Sequence, residues 1–255
     1  MLLLDKAVLK NIGRSRAWKV KTPNMHNKEY GEYCINSPEG NGNAVGEHSL
    51  AMLLCLMNNI TKSNIELKQA IFQREANRGA ELDGKTVGII GYGHTGKAFA
   101  KKLRGFEVDI LVYDKYHLAN DNVVKNVSLD DIKKQCNVIS FHVPYNAETH
   151  HFCNTDFMQQ CTQKPIVINT SRGAVLDTNA VIQALNQQQI SGLCIDVFED
   201  EPINKNQLHA VEVYQQLLTF PNVVATPHIA GWTHESKYKL VQILMDKIEL
   251  CLSKL

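Results

Sequence analysis

The sequence predicts an α/β fold built on a doubly wound parallel sheet. Two observations predict it. Strand-like apolar runs alternate with helical patterns from residue 86 onward, and a glycine-rich turn joins the first run to the segment after it. The runs lie at 86–90, 108–113, 137–142, 165–169, 192–197 and 222–225.

The first run, Thr86-Val87-Gly88-Ile89-Ile90, feeds straight into Gly91-Tyr92-Gly93-His94-Thr95-Gly96, a G-x-G-x-x-G turn. An alanine- and lysine-containing segment follows and reads as helix. Gly91 allows the tight turn out of the strand. Gly93 lacks the Cβ that would hold the backbone away from a pyrophosphate, and Gly96 lets the helix pack close to the sheet. The helix start offers N–H donors and the positive end of its dipole to phosphates. Tyr92, His94 and Thr95 belong to the same expected cofactor loop; His94 either senses the pyrophosphate or faces solvent. The second run ends in Asp114, 18 residues after Gly96. Its carboxylate can accept bonds from adenosine ribose hydroxyls and repels a 2′-phosphate, which favours NAD over NADP. Lys115 beside it weakens that exclusion without reversing it. The glycine turn alone is a weak signal; with strand, helix and acid around it, it is a strong one.

Later elements have local signals too. Ser128 with Asp131 reads as a helix N-terminus, and Asn154 opens another candidate helix. In Asp177–Gln188 the apolar residues Ala180, Val181, Ala184 and Leu185 fall at helical spacing. Glu47–Met57 reads as a strongly apolar helix, better suited to packing than to cofactor contact. Ligands of doubly wound sheets bind beyond the carboxyl ends of the strands. Three residues there carry suitable chemistry. Arg172 follows Pro165–Asn169, and a guanidinium just past a strand can hold a carboxylate bidentately. Glu201 follows Asp196-Val197-Phe198, and His228 lies in Thr226-Pro227-His228-Ile229-Ala230-Gly231. Taken singly, Arg172 fits a surface ion pair, Glu201 a solvated acidic loop with Glu199 and Asp200, and His228 a satisfied buried histidine. Three complementary groups at the ends of successive strands, below a dinucleotide site, favour a functional reading.

Composition fits. The chain has 255 residues, 44% hydrophobic and 21% charged, with net charge +1. That is enough for one large core, or one large and one small domain. Near-neutral charge gives no footprint for nucleic acid or an anionic membrane surface. Seven cysteines (34, 55, 136, 153, 161, 194, 251) form an odd set with no C-x-x-C pair, which argues for reduced thiols in a cytoplasmic protein. The run Leu50–Met57 is too short to span a bilayer, and Met1-Leu2-Leu3-Leu4 is followed at once by Asp5 and Lys6, unlike a signal peptide. His142, His150 and His151 show no spacing that suggests a metal site.

Four motifs, G-Y-G-x-x-G-K, N-T-S-R-G, D-V-F-x-x-E-P and T-P-H-I-A-G, in this order and spacing, resemble the D-isomer-specific 2-hydroxyacid dehydrogenases, and among them the phosphoglycerate-dehydrogenase-like members. The resemblance runs from about Ile35 to about Ser236. It implies a Rossmann domain that binds NAD, beside a flavodoxin-like substrate lobe. It implies hydride transfer between nicotinamide and C2 of a small 2-hydroxy or 2-oxo acid, 3-phosphoglycerate among the candidates. The arginine of the motif binds the substrate carboxylate and polarises the carbonyl, the histidine is the acid/base, and the glutamate pairs with it; these roles fall on Arg172, His228 and Glu201. Asp196 is then expected near the nicotinamide carboxamide, although a strand-end cap fits its local sequence equally well. Thr170 and Ser171 are expected near the nicotinamide ribose. Val143 and Pro144 are expected on the adenosine side, where an ordinary strand-ending proline is the simpler account. The helix at Glu47–Met57 implies a homodimer. The alternative is a non-catalytic NAD(H)-binding protein or partner subunit derived from the family.

The expected layout is a remnant of the substrate lobe over 1–46, the NAD-binding domain over 47–232, and a C-terminal helix over 233–255 that returns to the substrate lobe. The 46 residues before Glu47 are too few for a full independent lobe, so the second lobe reads as truncated. Val8–Ser15 resembles the last strand of that lobe. The family then has a small G-A-G-like loop whose amides meet the substrate carboxylate; Arg16-Ala17-Trp18-Lys19-Val20 stands there instead and offers no bare-backbone nest. Lys19–Tyr30 is polar and expected to be irregular, and the family pattern returns at Ile35–Asn41.

Overall fold

The alternation of apolar runs and helical patterns is realised in the computed structural model, which describes residues 17–23, 30–201 and 208–253. The chain divides into two compact units, Val45–Ala230 and the described parts of Met1–Ala44 with Gly231–Leu255.

In the larger unit seven strands form one sheet: β3 (Thr86–Ile90), β4 (Asp109–Tyr113), β5 (Lys125–Asn126), β6 (Val138–Phe141), β7 (Ile166–Asn169), β8 (Gly192–Ile195) and β9 (Val223–Ala225). Their order is β5-β4-β3-β6-β7-β8-β9, and every pairing is parallel. The strand order reverses between β3 and β6, which places a crevice at their carboxyl ends. Six strands were expected; β5 is the addition. It has two exposed residues, too few to show an apolar period.

Period-two side-chain alternation sorts the strands between two apolar layers. Val87 and Ile89 of β3, Val138 of β6, Ile168 of β7 and Cys194 of β8 face one layer, with Leu53, Phe99 and Leu103. Ile90, Ile139, Phe141, Val167, Leu193 and Ile195 face the other, with Phe157, Met158 and Leu176. Helices cover both faces: α1 (Gly42–Met57), α3 (His94–Leu103), α4 (Leu129–Gln135), α5 (Thr155–Gln159), α6 (Thr178–Asn186) and α7 (Leu208–Leu218), whereas α2 (Ile60–Lys68) buries no residue. Their starts follow the sequence signals. Ser128 and Asp131 form a reciprocal capping box on α4. Asn154 caps α5 through the Phe157 N–H, and Asp177 caps α6 through the Ala180 N–H. Among the described residues no helix is long and apolar enough to cross a membrane.

The smaller unit holds an antiparallel pair, β1 (Ala17–Pro23) and β2 (Tyr30–Asn36), in register from Ala17 opposite Asn36 to Pro23 opposite Tyr30. This corrects, for Lys19–Pro23 and for Tyr30, the expectation that Lys19–Tyr30 is irregular. Backbone pairing is indifferent to side-chain polarity, and Trp18, Val20 and Thr22 are good strand formers at alternate positions. Residues 8–15 and 24–29 lie outside the described residues. A long helix, α8 (His234–Leu252), starts at a Thr233/Ser236 capping box. Its Lys247 pairs with Glu39 and donates to the Asn36 carbonyl at 2.9 Å.

Phe99 is fully buried between α3 and the sheet. Phe99→Ala is expected to lower the unfolding free energy by about 3–5 kcal/mol. Urea denaturation of the variant measures this, and a loss below about 1 kcal/mol contradicts the packing described.

Candidate active site

Two clusters form at the carboxyl ends of the strands. The first surrounds the turn after β3. Gly91 has φ +91°, and a Cβ there would lie 2.6 Å from the His142 carbonyl oxygen. Only glycine meets both demands. A Cβ on Gly96 would lie 2.1 Å from the Gly91 carbonyl, so α3 starts against the turn itself. Exposed Gly93 is the N-cap of α3, with open space where a Cβ would stand, and His94 and Thr95 open the first helical turn. The turn is pinned from behind by Asp114. One carboxylate oxygen accepts from the Tyr92 N–H at 2.8 Å; the other accepts from the N–H groups of Tyr116 at 2.9 Å and His117 at 3.0 Å. Burial pushes the Asp114 carboxyl up, but these three donors outweigh it and its pKa ends below the ordinary value. The Tyr92 side chain points inward rather than toward the turn's open side. Its hydroxyl donates to Asp121 at 3.2 Å, and burial, then the Asp121 charge, push the phenol up to about 12.

A cavity of about 440 Å³ opens beside this turn, lined by Gly91, Gly93, Asp114, His142, Val143 and Pro144 among others. The size suits a bound nucleotide moiety. Thr149 and Phe152 also line it, and sequence reasoning missed both. Lys115 is drawn aside into an ion pair with Glu148 at 2.8 Å, so its charge is partly neutralised. His142 is fully buried. Its Nε2 is 2.9 Å from the Ser140 hydroxyl, its ring lies 5.5 Å from Phe99, and its Nδ1 has no partner among the described residues. Burial alone drops its pKa to about 3.

The second cluster lies at the ends of β7, β8 and β9. The Asn169 side chain folds the turn after β7. Its carbonyl accepts from the Ser171 N–H at 3.1 Å and hydroxyl at 2.8 Å, and its amide donates to the Arg172 carbonyl at 2.9 Å. Buried Thr170 sits 3.1 Å, oxygen to oxygen, from Ser49 on α1. Arg172 is exposed, with Nη1 donating to the Ser171 carbonyl at 2.6 Å. Asp196 ends β8 with 0% exposure. Its carboxylate accepts from the N–H groups of Ile229 at 2.9 Å and Ala230 at 2.8 Å and from the Thr226 hydroxyl at 2.5 Å. Its carbonyl accepts from the His228 N–H at 2.7 Å. His48 on α1 reaches the Thr226 hydroxyl at 2.9 Å.

These bonds hold His228 in the left-handed region, at φ +55°. Its Nδ1 pairs directly with Glu201, whose other oxygen accepts from the Phe198 N–H at 2.7 Å. With Nδ1 engaged, Nε2 is the nitrogen available to a bound molecule. The structure thus brings Glu201 to His228 and ties the His228 turn to Asp196. Arg172, on the neighbouring loop, makes no hydrogen bond to either among the described residues. Asn169, Ser49, His48 and Thr226 were missed in the sequence. Their partners lie on other elements, and a polar residue at a strand end or in a helix carries no local mark of this.

The chain is similar to known proteins in sequence and in fold. Residues 50–230 match the family described as D-isomer specific 2-hydroxyacid dehydrogenase, NAD binding domain. The hydroxypyruvate reductase of Thermotoga maritima is 33% identical over 221 residues, covering 87% of this chain and 70% of that protein. The D-3-phosphoglycerate dehydrogenase of Haemophilus influenzae is 36% identical over 213 residues, covering 82% of this chain and 50% of that protein. The solved D-lactate dehydrogenase of Aquifex aeolicus, complexed with NAD and lactic acid, superposes with a TM-score of 0.75 at 30% identity, covering 86% of this chain and 68% of that one. The chain therefore spans between half and seven-tenths of the length of these relatives.

The buried His142 makes stability depend on pH. Its folded pKa lies below the unfolded value of about 6.5, so the unfolded chain binds the extra proton as pH falls. Between about pH 6.5 and pH 3 its contribution to stability falls by up to about 1.4 kcal/mol per unit. Urea titrations at pH 7 and pH 5 are expected to show a smaller acid loss for His142→Phe than for the wild type. An equal loss contradicts the assignment.

Proposed function

The chain belongs to the D-isomer-specific 2-hydroxyacid dehydrogenase family, and we propose that it is an NAD-dependent oxidoreductase interconverting a small 2-hydroxy acid and its 2-oxo acid. The observation that carries this reading is the His228–Glu201 pair, held by Asp196 at the same end of the sheet as the glycine turn and its cavity. NAD, when bound, supplies the hydride chemistry.

The chain's own residues do the rest. The first turn of α3 and the Gly91–Gly96 loop offer N–H donors to the diphosphate. Asp114 meets the adenosine ribose and, held ionised by three N–H donors, repels a 2′-phosphate. Val143 and Pro144 lie along the adenosine, and Thr170 and Ser171 approach the nicotinamide ribose. Arg172 binds the substrate carboxylate and brings C2 to reacting distance. His228 gives its Nε2 proton to the oxygen on C2 during reduction and takes it back during oxidation. Glu201 fixes the tautomer and supports the imidazolium. The buried Asp196 positions the His228 turn, a role that its fully engaged carboxylate fits better than direct contact with the nicotinamide carboxamide.

Residues 1–46 and 233–255 are read in the same proposal as part of the substrate lobe and the helix returning to it. Assembly as a homodimer in the cytoplasm completes the proposal. The exposed apolar side chains of Ile65, Leu67 and Phe72, on and just after α2, support a partner surface.

NADH oxidation with glyoxylate, pyruvate, hydroxypyruvate and 3-phosphohydroxypyruvate tests the reading. Turnover of at least one acid is expected; NADH binding with no turnover on any of them contradicts it. His228→Gln is expected to lower kcat by about 10²–10⁴-fold with NADH affinity unchanged. A large loss of NADH affinity instead removes His228 from the acid/base role. Asp114→Ser is expected to raise kcat/KM for NADPH relative to NADH. An unchanged preference places Asp114 away from the ribose.

A further inference from the structure

The acidic loop after β8 holds a residue that the sequence leaves in solvent and the structure does not. Glu199 is half-buried, and three groups converge on its carboxylate, two from Thr178 at the start of α6 and one from His151 in the loop after β6. One oxygen accepts from the Thr178 N–H at 2.8 Å and from the Thr178 hydroxyl. The other is 2.7 Å from His151 Nε2. His151 stands in the left-handed region, at φ +47°, and its own N–H donates to the Ala174 carbonyl at 2.7 Å. The opposite ring nitrogen lies 3.9 Å from Asp177, and the His150 ring stacks on it at 4.0 Å.

We propose that Glu199 and His151 are positioning residues, a clamp that sets Glu201 against His228. The proposal rests on the dehydrogenase reading above and goes beyond it, because neither residue touches the reacting atoms. Glu199 is two residues before Glu201, and the turn that carries both is already short of freedom: Glu201 accepts from the N–H of Phe198, three residues back, so the bond spans Glu199. Helix capping accounts for only part of the arrangement: Glu199 accepts the free N–H of Thr178 at the start of α6, where Asp177 takes that of Ala180, but the contact with His151 serves no helix end. The extra bond to His151 ties in the loop after β6, so three successive loops meet at one carboxylate. Arg172 shares the constraint. A Cβ on Gly173, the residue after it, would lie 2.0 Å from the Phe198 carbonyl, so the loops after β7 and β8 are in direct backbone contact. Releasing the clamp frees the Glu201 loop, whereas the glycine turn keeps its own bond to Asp114.

Glu199→Ala, His151→Phe and the conservative Glu199→Gln test this. Glu199→Ala and His151→Phe are expected to lower kcat about ten- to a hundredfold while NADH affinity stays unchanged. Glu199→Gln, which still accepts from Thr178, is expected to recover most of the loss. Proton NMR supplies a readout independent of turnover. The downfield imidazole N–H of His228, assigned by its loss in His228→Gln, is expected in the wild type and in Glu199→Gln, and is expected to shift or vanish in Glu199→Ala and His151→Phe. An unchanged resonance and unchanged kcat in those two variants overturn the clamp, as does a wild type that lacks the resonance. Failure of the wild type to bind NADH overturns the proposed function instead, and the resonance still decides the clamp. Should Glu199→Ala fail to fold, His151→Phe carries the comparison.

Discussion

Asp196 ends β8 with its carboxylate out of reach of solvent, and a carboxylate so placed is tolerated only when donors surround it. Two backbone N–H groups and the Thr226 hydroxyl do so, all from the segment that follows β9. The consequence falls on His228. A left-handed conformation costs a non-glycine residue about 1–2 kcal/mol, whereas each hydrogen bond to a charged group contributes about 1.5–3 kcal/mol. The carboxylate therefore wins, and the imidazole is turned to Glu201. Strain at one residue is held by a buried group on the neighbouring strand, which is how rigid scaffolds position reactive side chains.

The same logic recurs along the sheet edge. Asp114 pins the turn after β3 from the end of β4, Asn169 folds the turn after β7, and Asp196 holds the turn after β9. In each case a short polar side chain at a strand end accepts the N–H groups of a turn. Parallel strands make this possible, because all their carboxyl ends lie at one edge and each loop finds a neighbour there. Glycines enter where that crowding leaves no room, at Gly91 beneath the His142 carbonyl and at Gly173 against Phe198. The two ends of the site then differ in character. The glycine turn is open and suited to an anion, whereas the His228 end is tied down by hydrogen bonds to the buried Asp196 carboxylate.

Much of this was legible in the sequence where the signal was local. Apolar runs marked six of the seven strands of the parallel sheet, because burial on both faces, as in β6 and β8, leaves a continuous pattern. Ser128 and Asn154 marked helix starts because the cap and its N–H lie three residues apart, and α6 was marked instead by the spacing of Ala180, Val181, Ala184 and Leu185. The glycine turn and Asp114 were readable because the motif itself encodes a backbone demand. What escaped were relations between distant parts of the chain. Ser49 and Thr170 are 121 residues apart, and His48 and Thr226 are 178 apart. Glu199 looked like one charge in an acidic run, and only the fold brings His151 and Thr178 to it. The β1–β2 pair escaped for a different reason: backbone pairing leaves no strong apolar mark in a polar segment.

The central claim is that the turn at Gly91–Gly96 and the His228–Glu201 pair belong to one coenzyme site. Isothermal titration calorimetry of the purified chain with NADH tests it most directly. The account predicts saturable uptake of one NADH per chain, weakened by bulk at Gly93, where a side chain would stand in the cradle. No detectable uptake of NADH or NAD contradicts it.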